Sequence, residues 1–274
     1  MSDSTSLEFS GFHLSSAERE KIESKRGLST DELLRQLVHE VQPYAVVPVS
    51  NFRVGSAGLN ADGEIFLGVN LEFVGASFAQ TVHAEQFLIS LSRTHSTAPL
   101  VKVGVSAPPC GHCRQFVVEF DPEGELELLI GDEPSVRMKH LLPRAFTPAD
   151  LDVAESFCSE TLVVDEGADI VDAARMAART SYVPYSRTRA GIAVRSSSGR
   201  IFAGAAIENV AYNPGLPPLQ AALVSAYAQG CAFSDIVEVV LCQERGGQID
   251  YEPQLRDLAQ SLSDPPAKFS TVFL

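Results

Sequence analysis

His83-Ala84-Glu85 and, about two dozen residues on, Pro109-Cys110-Gly111-His112-Cys113 are the residues of this chain best suited to chemistry. One imidazole and two thiolates are three soft donors of the kind zinc takes. Three donors leave a tetrahedral ion one position for water, whereas a fourth would close it as a structural site. Glu85 is the carboxylate that a metal-activated water needs as a proton carrier, and it is not expected to ligate. A lone His reads as a satisfied core histidine and a lone C-x-x-C as a redox pair. Together, in this order, they predict one metal centre of His83, Cys110 and Cys113, with His112 pointing away from it.

Such a centre needs elements that aim its donors. Residues i and i+2 within a helix diverge, so His83 and Glu85 converge only if the ion lies off a helix N-terminus. The sequence predicts that helix over residues 81–92, with Thr81 as its N-cap. Cys110 and Cys113 are three apart and share a face at the start of a second helix, 110–120, entered through Pro108-Pro109. Two helix N-termini would then favour thiolate over thiol. Upstream, Leu33, Leu34, Leu37 and Val38 recur at helical spacing within a helix expected over 15–41. Strands are expected at 52–58 and 64–73 around a turn at 60–63, then at 101–106 and 126–130. Strands alternating with helices argue an α/β layer fold. Residues 146–166, with Pro148, several acids and little periodicity, read as a linker.

Beyond the linker the pattern repeats. Pro48, Ser50 and Gly55 match Pro184, Ser186 and Gly191, each 136 residues on. Gly63, Ile65, Phe66, Gly68 and Glu72 match Gly199, Ile201, Phe202, Gly204 and Glu208 at the same offset. A fixed offset through two motifs and a turn argues duplication of one fold rather than two similar hairpins. Continued at that offset, His83 falls on Leu219 and Glu85 on Ala221, and no second C-x-x-C follows. One zinc per chain is therefore expected, in the first half, with the second half serving as a packing and interface partner.

Composition narrows the partners. The 35 Asp and Glu against 21 Lys and Arg give a formal net charge of -14, which disfavours a nucleic-acid backbone. Residues 1–6 lack the basic and apolar regions of a signal peptide, and no apolar run approaches membrane-spanning length. The five Cys are odd in number; Cys158, Cys231 and Cys242 are scattered, which suits a reducing compartment with one metal site. A cytoplasmic protein with no membrane and no nucleic-acid partner is the expectation.

H-x-E followed by P-C-x-x-C is a signature of zinc deaminases. With Thr81-Val82-His83-Ala84-Glu85-Gln86 and Pro109-Cys110-Gly111-His112-Cys113-Arg114-Gln115-Phe116, the chain resembles cytidine deaminases of the homodimeric, double-domain type found in some bacteria and plants. Ala211-Tyr212-Asn213-Pro214-Gly215-Leu216-Pro217-Pro218-Leu219-Gln220-Ala221-Ala222-Leu223 extends the resemblance into the second half, where that family also lacks zinc ligands. The resemblance implies a duplicated three-layer α/β/α fold, a mixed sheet flanked by helices, with a degenerate second copy. It implies a helical arm at 1–29, a catalytic zinc domain at 30–150, a linker at 151–166 and a non-catalytic domain at 167–274.

The implied reaction is hydrolytic deamination of cytidine and 2′-deoxycytidine: zinc-activated hydroxide attacks C4 and Glu85 carries the protons. The implied partners are a small pyrimidine nucleoside and a second copy of the chain. Asn70 and Glu72, two apart on a strand, would hold the ribose 3′-hydroxyl, and Phe52 would pack on the pyrimidine. Phe146 would form a second aromatic wall, the backbone at Ala84 would meet the base edge, and Tyr212 would reach the partner subunit's pocket. Two other readings keep the metal: a deaminase of nucleotides or nucleic-acid cytosine, and a non-catalytic zinc-stabilised module. A phosphate beside Glu72 would be repelled, and Glu85 beside three donors has no use in a structural module.

Overall fold

Two mixed sheets, each between helices, carry the chain, and the computed structural model describes residues 11–153, 162, 164 and 167–274 of it. The first ten residues, Cys158 and most of the expected linker 151–166 lie outside the described residues. The first half runs β1 (His13–Leu14), α1 (Ser16–Arg26), α2 (Thr30–Val41), β2 (Gly55–Asn60), β3 (Ile65–Val69), α3 (Ala84–His95) and β4 (Leu100–Val105). It continues through α4 (Gly111–Val117), β5 (Glu127–Ile130), β6 (Val136–Arg137) and α5 (Met138–Leu141). The second half runs α6 (Ile170–Arg179), β7 (Ala190–Ser196), β8 (Ile201–Ala205), α7 (Pro218–Ala228), β9 (Ile236–Gln243), α8 (Glu252–Ser261) and β10 (Lys268–Phe273).

The sheets share a plan. The order β3-β2-β4-β5 within the first sheet is repeated as β8-β7-β9-β10 in the second. In each, the central strand pairs antiparallel with both neighbours and the outer pair is parallel. A register irregularity falls between Leu59 and Asn60 in one and between Arg195 and Ser196 in the other, 136 residues apart. Asn51 and Arg187, at that same offset, both take left-handed backbone, with φ 56 and 58.

Close approach of helix to sheet explains the repeated glycines. A Cβ on Gly68 would lie 2.3 Å from the Ala84 carbonyl at the start of α3, and one on Gly204 would lie 2.6 Å from the Pro218 carbonyl at the start of α7. On the opposite face, Gly55 and Gly191 lie against α2 and α6. The chain thus adopts the expected duplicated three-layer α/β/α arrangement. Its largest apolar cluster runs through both halves, with Phe87 and Leu88 of α3 and Leu219 and Leu223 of α7 all fully buried. Among the described residues no helix is long and apolar enough to cross a membrane.

Local chemistry moved several expected boundaries. The single helix over 15–41 is two, because Gly27 ends α1 in left-handed backbone and Ser29 with Glu32 opens α2 in a reciprocal capping box. Thr81 is not the N-cap of the metal-bearing helix: Val82 is still bridged to Leu71, so α3 opens only after that bridge, with His83 as N-cap. The strand expected over 64–73 stops at Val69, and only Leu71 continues the pairing as an isolated bridge.

A buried carboxylate joins the halves. Glu119, 3% exposed, accepts hydrogen bonds from the Tyr182 and Tyr185 hydroxyls and from the Val210 N–H at 2.9 Å. Burial, and then Glu119, push the Tyr185 hydroxyl well above the usual tyrosine range, so it stays a donor. Glu119→Ala would remove the acceptor shared by two hydroxyls and an N–H across the two halves and is expected to cost about 3 kcal/mol or more. Urea unfolding of the variant tests this; a midpoint within error of wild type would contradict it.

Candidate metal centre

The centre forms where two helices begin. His83 has extended backbone, φ -79 and ψ 155, and precedes α3; Cys110, φ -70 and ψ 168, precedes α4. The Gln86 side-chain oxygen accepts the His83 N–H at 3.1 Å, which fixes the approach of the imidazole. Pro108-Pro109 delivers the chain extended to Cys110, and Arg114 clamps that entry by donating to the Pro109 and Leu141 carbonyls at 2.9 and 2.8 Å.

These starts bring the three predicted donors together. Nδ1 of His83 lies 3.6 Å from Sγ of Cys110 and 3.2 Å from Sγ of Cys113, and the sulfurs are 3.6 Å apart. Zinc–sulfur bonds of about 2.3 Å and zinc–nitrogen bonds of about 2.0–2.1 Å, at tetrahedral angles, require edges of about 3.8 Å between sulfurs and about 3.6 Å from sulfur to nitrogen. The donor set therefore fits zinc in both chemistry and size. Among the described residues it is the group of His, Cys, Asp and Glu side chains arranged to hold a metal ion. Left to themselves the two thiols share one proton: donation from Cys113 pulls Cys110 down to about 4, and the same bond with burial pushes Cys113 up. A divalent cation would displace that proton and take both as thiolates.

Glu85 sits beside the donors, 5% exposed, and burial pushes its carboxyl above the ordinary range against the pull of its own N–H and Cys113. His112 stays out of the donor group, as expected. Its ring stacks on His83, with centroids 5.1 Å apart and planes 16° apart, and its Nε2 meets the Gln86 amide at 3.2 Å. Gln86, which the sequence reading passed over, thus holds the ligand's backbone, the ring stacked on it and the Pro214 carbonyl of the second half. A Gln three residues after an N-cap is the signal that could have found it.

Asn70 and Glu72 both hold the 49–54 loop. Asn70 accepts the Val54 N–H at 2.9 Å and donates to the Phe52 carbonyl at 3.0 Å. Glu72 accepts the Val49 and Ser50 N–H groups at 3.0 Å each, and the Ser50 hydroxyl. Burial raises the Glu72 pKa, but these three bonds outweigh it and hold the carboxyl below its ordinary value. Phe52 at the tip of that loop is 61% exposed. Ala84 is buried, with its carbonyl accepting the Ser56 hydroxyl at 2.8 Å. Phe146 is exposed, and its carbonyl accepts from the Gln115 side chain of α4. Tyr212, with left-handed backbone at φ 59, stands 69% exposed against Tyr185 on the second half.

The structure corrects the alignment of the halves at the site. Leu71 and Val82 are bridged in the first half, but Ile207 bridges Leu216, so the second-half loop is two residues shorter. The offset drops to 134 along α7, where Pro217 takes the N-cap position of His83 and Leu219 that of Glu85. Neither replacement can ligate or carry a proton, so the second half still lacks the centre. By β9 the offset is 136 again.

Comparison with known proteins gives two matches to the same family description. Residues 28–124 and 138–256 each match a model of the cytidine and deoxycytidylate deaminase zinc-binding region. A protein named cytidine deaminase from Vibrio parahaemolyticus is 33% identical over 263 residues, covering 94% of this chain and 89% of that protein. Another so named, from Photobacterium profundum, is 32% identical over 239 residues, covering 86% and 81%. A crystal structure of cytidine deaminase from Mycobacterium leprae aligns with 43% of this chain and 100% of its own, at 30% identity and a TM-score of 0.39.

The Glu72 bonds give a pH test. Because its folded pKa is depressed, its stabilisation is full above the unfolded value near 4.5 and is lost as pH falls through the folded value. Glu72→Gln is expected to be less stable than wild type by about 1–3 kcal/mol at pH 7, with a smaller gap at pH 4, below the unfolded value. Urea midpoints at the two pH values measure it; a gap undiminished in acid would contradict the assignment.

Proposed function

The chain belongs to the cytidine and deoxycytidylate deaminase family, and from that premise we propose that it hydrolyses cytidine and 2′-deoxycytidine to uridine and 2′-deoxyuridine, releasing ammonia. The observation that carries the reading is a buried carboxyl, Glu85, beside three donors that leave a tetrahedral ion one position. His83, Cys110 and Cys113 would hold a zinc ion, which when bound would supply Lewis acidity and lower the pKa of a water towards about 7. Glu85 accepts the proton of the water that adds to C4 and delivers it to ring N3. It then moves a second proton from the new hydroxyl to the exocyclic amine, which leaves as ammonia while C4 keeps its oxygen as a carbonyl. A carboxyl raised by burial holds a proton more readily than a free one, which suits a group that must both accept and return it.

Hydrogen-bond capacity supports the ribose contact. A carboxylate offers about four lone-pair sites and an amide nitrogen two N–H groups. Glu72 receives three donors and Asn70 gives one, so one acceptor site and one N–H remain. A sugar 3′-hydroxyl, which both donates and accepts, matches that remainder. Phe52 would pack on the pyrimidine, Phe146 would form a further wall, and the Ala84 N–H would meet the base edge. A nucleoside is favoured over a nucleotide or nucleic acid, because Glu72 and the net charge of -14 both repel phosphate.

The functional unit we propose is a cytoplasmic homodimer without membrane or nucleic-acid partners. It comprises a helical arm over 1–29, a catalytic domain over 30–150, a linker over 151–166 and a non-catalytic domain over 167–274. Val49, Phe52, Val74 and Phe78 stand exposed on the segments around Glu72, and Cys110 is exposed as well, so the centre is open on one side. A second copy presenting Tyr212 would close it.

Glu85→Ala is expected to keep its zinc and lose about 10,000-fold in kcat on cytidine. Metal analysis with an ultraviolet assay of cytidine conversion tests this, and near wild-type turnover would defeat the mechanism. Sedimentation is expected to give twice the chain mass, with Tyr212→Ala raising KM several-fold. A monomer of full activity would exclude the shared pocket.

A further inference from the structure

A second cavity, of about 390 Å³, lies in the cleft between the halves. Glu208, Pro217, Gln220 and Tyr251 line it from the second half, and Gln80 and Thr81 from the first. Gln86, His112 and Tyr212 also line it, so it abuts the residues that support His83, but Phe52, Asn70, Glu72 and the three metal donors are not among its lining. Its size falls within the range of small-molecule sites, roughly 300–1,000 Å³.

Its place in the fold is set by a pseudo-two-fold relation between α3 and α7. Gln86 of α3 donates to the Pro214 carbonyl at 3.2 Å, and Gln220 of α7 donates to the Gln80 side-chain oxygen at 2.6 Å. Each partner is 134 residues from its counterpart, so each half reaches into the other in the same way. Glu208 and Pro217 therefore stand to this cavity as Glu72 and His83 stand to the catalytic pocket.

Two buried acceptors in its wall have no donor. Glu208 is 8% exposed and Gln220 1% exposed, and Oε1 of each lacks a hydrogen-bond partner. In the first half the corresponding atoms are satisfied: the Ser50 hydroxyl donates to Glu72 Oε1 and the His83 N–H to Gln86 Oε1. Proline at 217 has no N–H, so Gln220 cannot close the same capping box. The Ser186 backbone still donates to Glu208, but only to its other oxygen. An unsatisfied buried acceptor costs about 1–3 kcal/mol, so two in one cavity wall call for donors from outside the chain.

We propose that this cavity binds a neutral pyrimidine nucleoside without converting it. Sugar hydroxyls and the N–H of a pyrimidine are the donors that the Glu208 and Gln220 oxygens lack, and the Tyr251 ring offers a face for a planar base. A carboxylate in the wall disfavours a phosphate, so the ligand is a nucleoside rather than a nucleotide. With Pro217 and Leu219 in place of a metal ligand and a proton carrier, the bound molecule is held and not hydrolysed. The choice of ligand class rests on the nucleoside reading of the catalytic pocket.

Equilibrium dialysis of the zinc-loaded full-length protein against labelled uridine tests it, with cytidine conversion assayed on the same sample. Two uridines per chain at saturation are expected in wild type and one in Glu208→Gln. Gln254→Trp, at an exposed position on the cavity rim, should also reduce two to one and guards against misfolding of the first variant. Uridine 5′-monophosphate should not displace the second uridine. A protein that converts cytidine but binds one uridine overturns the cavity alone, as does a second uridine retained in both variants. A protein that neither converts cytidine nor binds uridine overturns the nucleoside reading as well.

Discussion

Two helix starts held within a few ångströms of each other make the donor set possible. His83 and Cys110 are the N-caps of α3 and α4, and each brings its donor to the other before its helix begins. Helix N-termini carry partial positive charge, which favours thiolates and an ion-binding geometry. That placement needs α3 pressed onto the sheet, which Gly68 permits by having no side chain where the Ala84 carbonyl lies. It also needs the His83 backbone pinned by Gln86 and the Cys110 entry stiffened by two prolines and Arg114. Glu85 follows His83 into the first turn and is buried by the same packing.

Duplication supplied the scaffold, and divergence in a few places removed the chemistry from one copy. The second half keeps the strand order, the register irregularity, the left-handed residue and the glycine under the helix. Even the Lys102–Glu127 ion pair between parallel strands reappears as Glu238–Lys268, with the charges exchanged. What changed is the loop before α7, two residues shorter, and the residues it delivers, Pro217 and Leu219. The copy did not become independent of its partner half. One apolar cluster and the Glu119 network join them, and α3 and α7 exchange glutamine hydrogen bonds across the join.

The sequence made the three donors, the repeat and the turn at 60–63 legible, because each depends on residue type at short spacing or on a fixed offset. It did not reveal that the offset changes at α7. Matching at constant spacing is blind to a shortened loop that a later segment restores, so Leu219 and Ala221 were paired with His83 and Glu85 in error. Gln86 was passed over because its work is done in three directions, two of them to residues distant in sequence. Spacing alone makes Asn70 and Glu72 a strand pair on one face, but the strand stops at Val69. The sequence could not show that both hold the 49–54 loop, because those bonds run to backbone groups.

His83, Cys110 and Cys113 are arranged to hold one zinc ion and leave it a position for water. Zinc-edge X-ray absorption on the purified protein tests this most directly. Two sulfur neighbours at about 2.3 Å, one imidazole nitrogen at about 2.0–2.1 Å and one exchangeable light atom are expected. Four protein ligands around the ion, or a protein that deaminates cytidine with no metal bound, would contradict it.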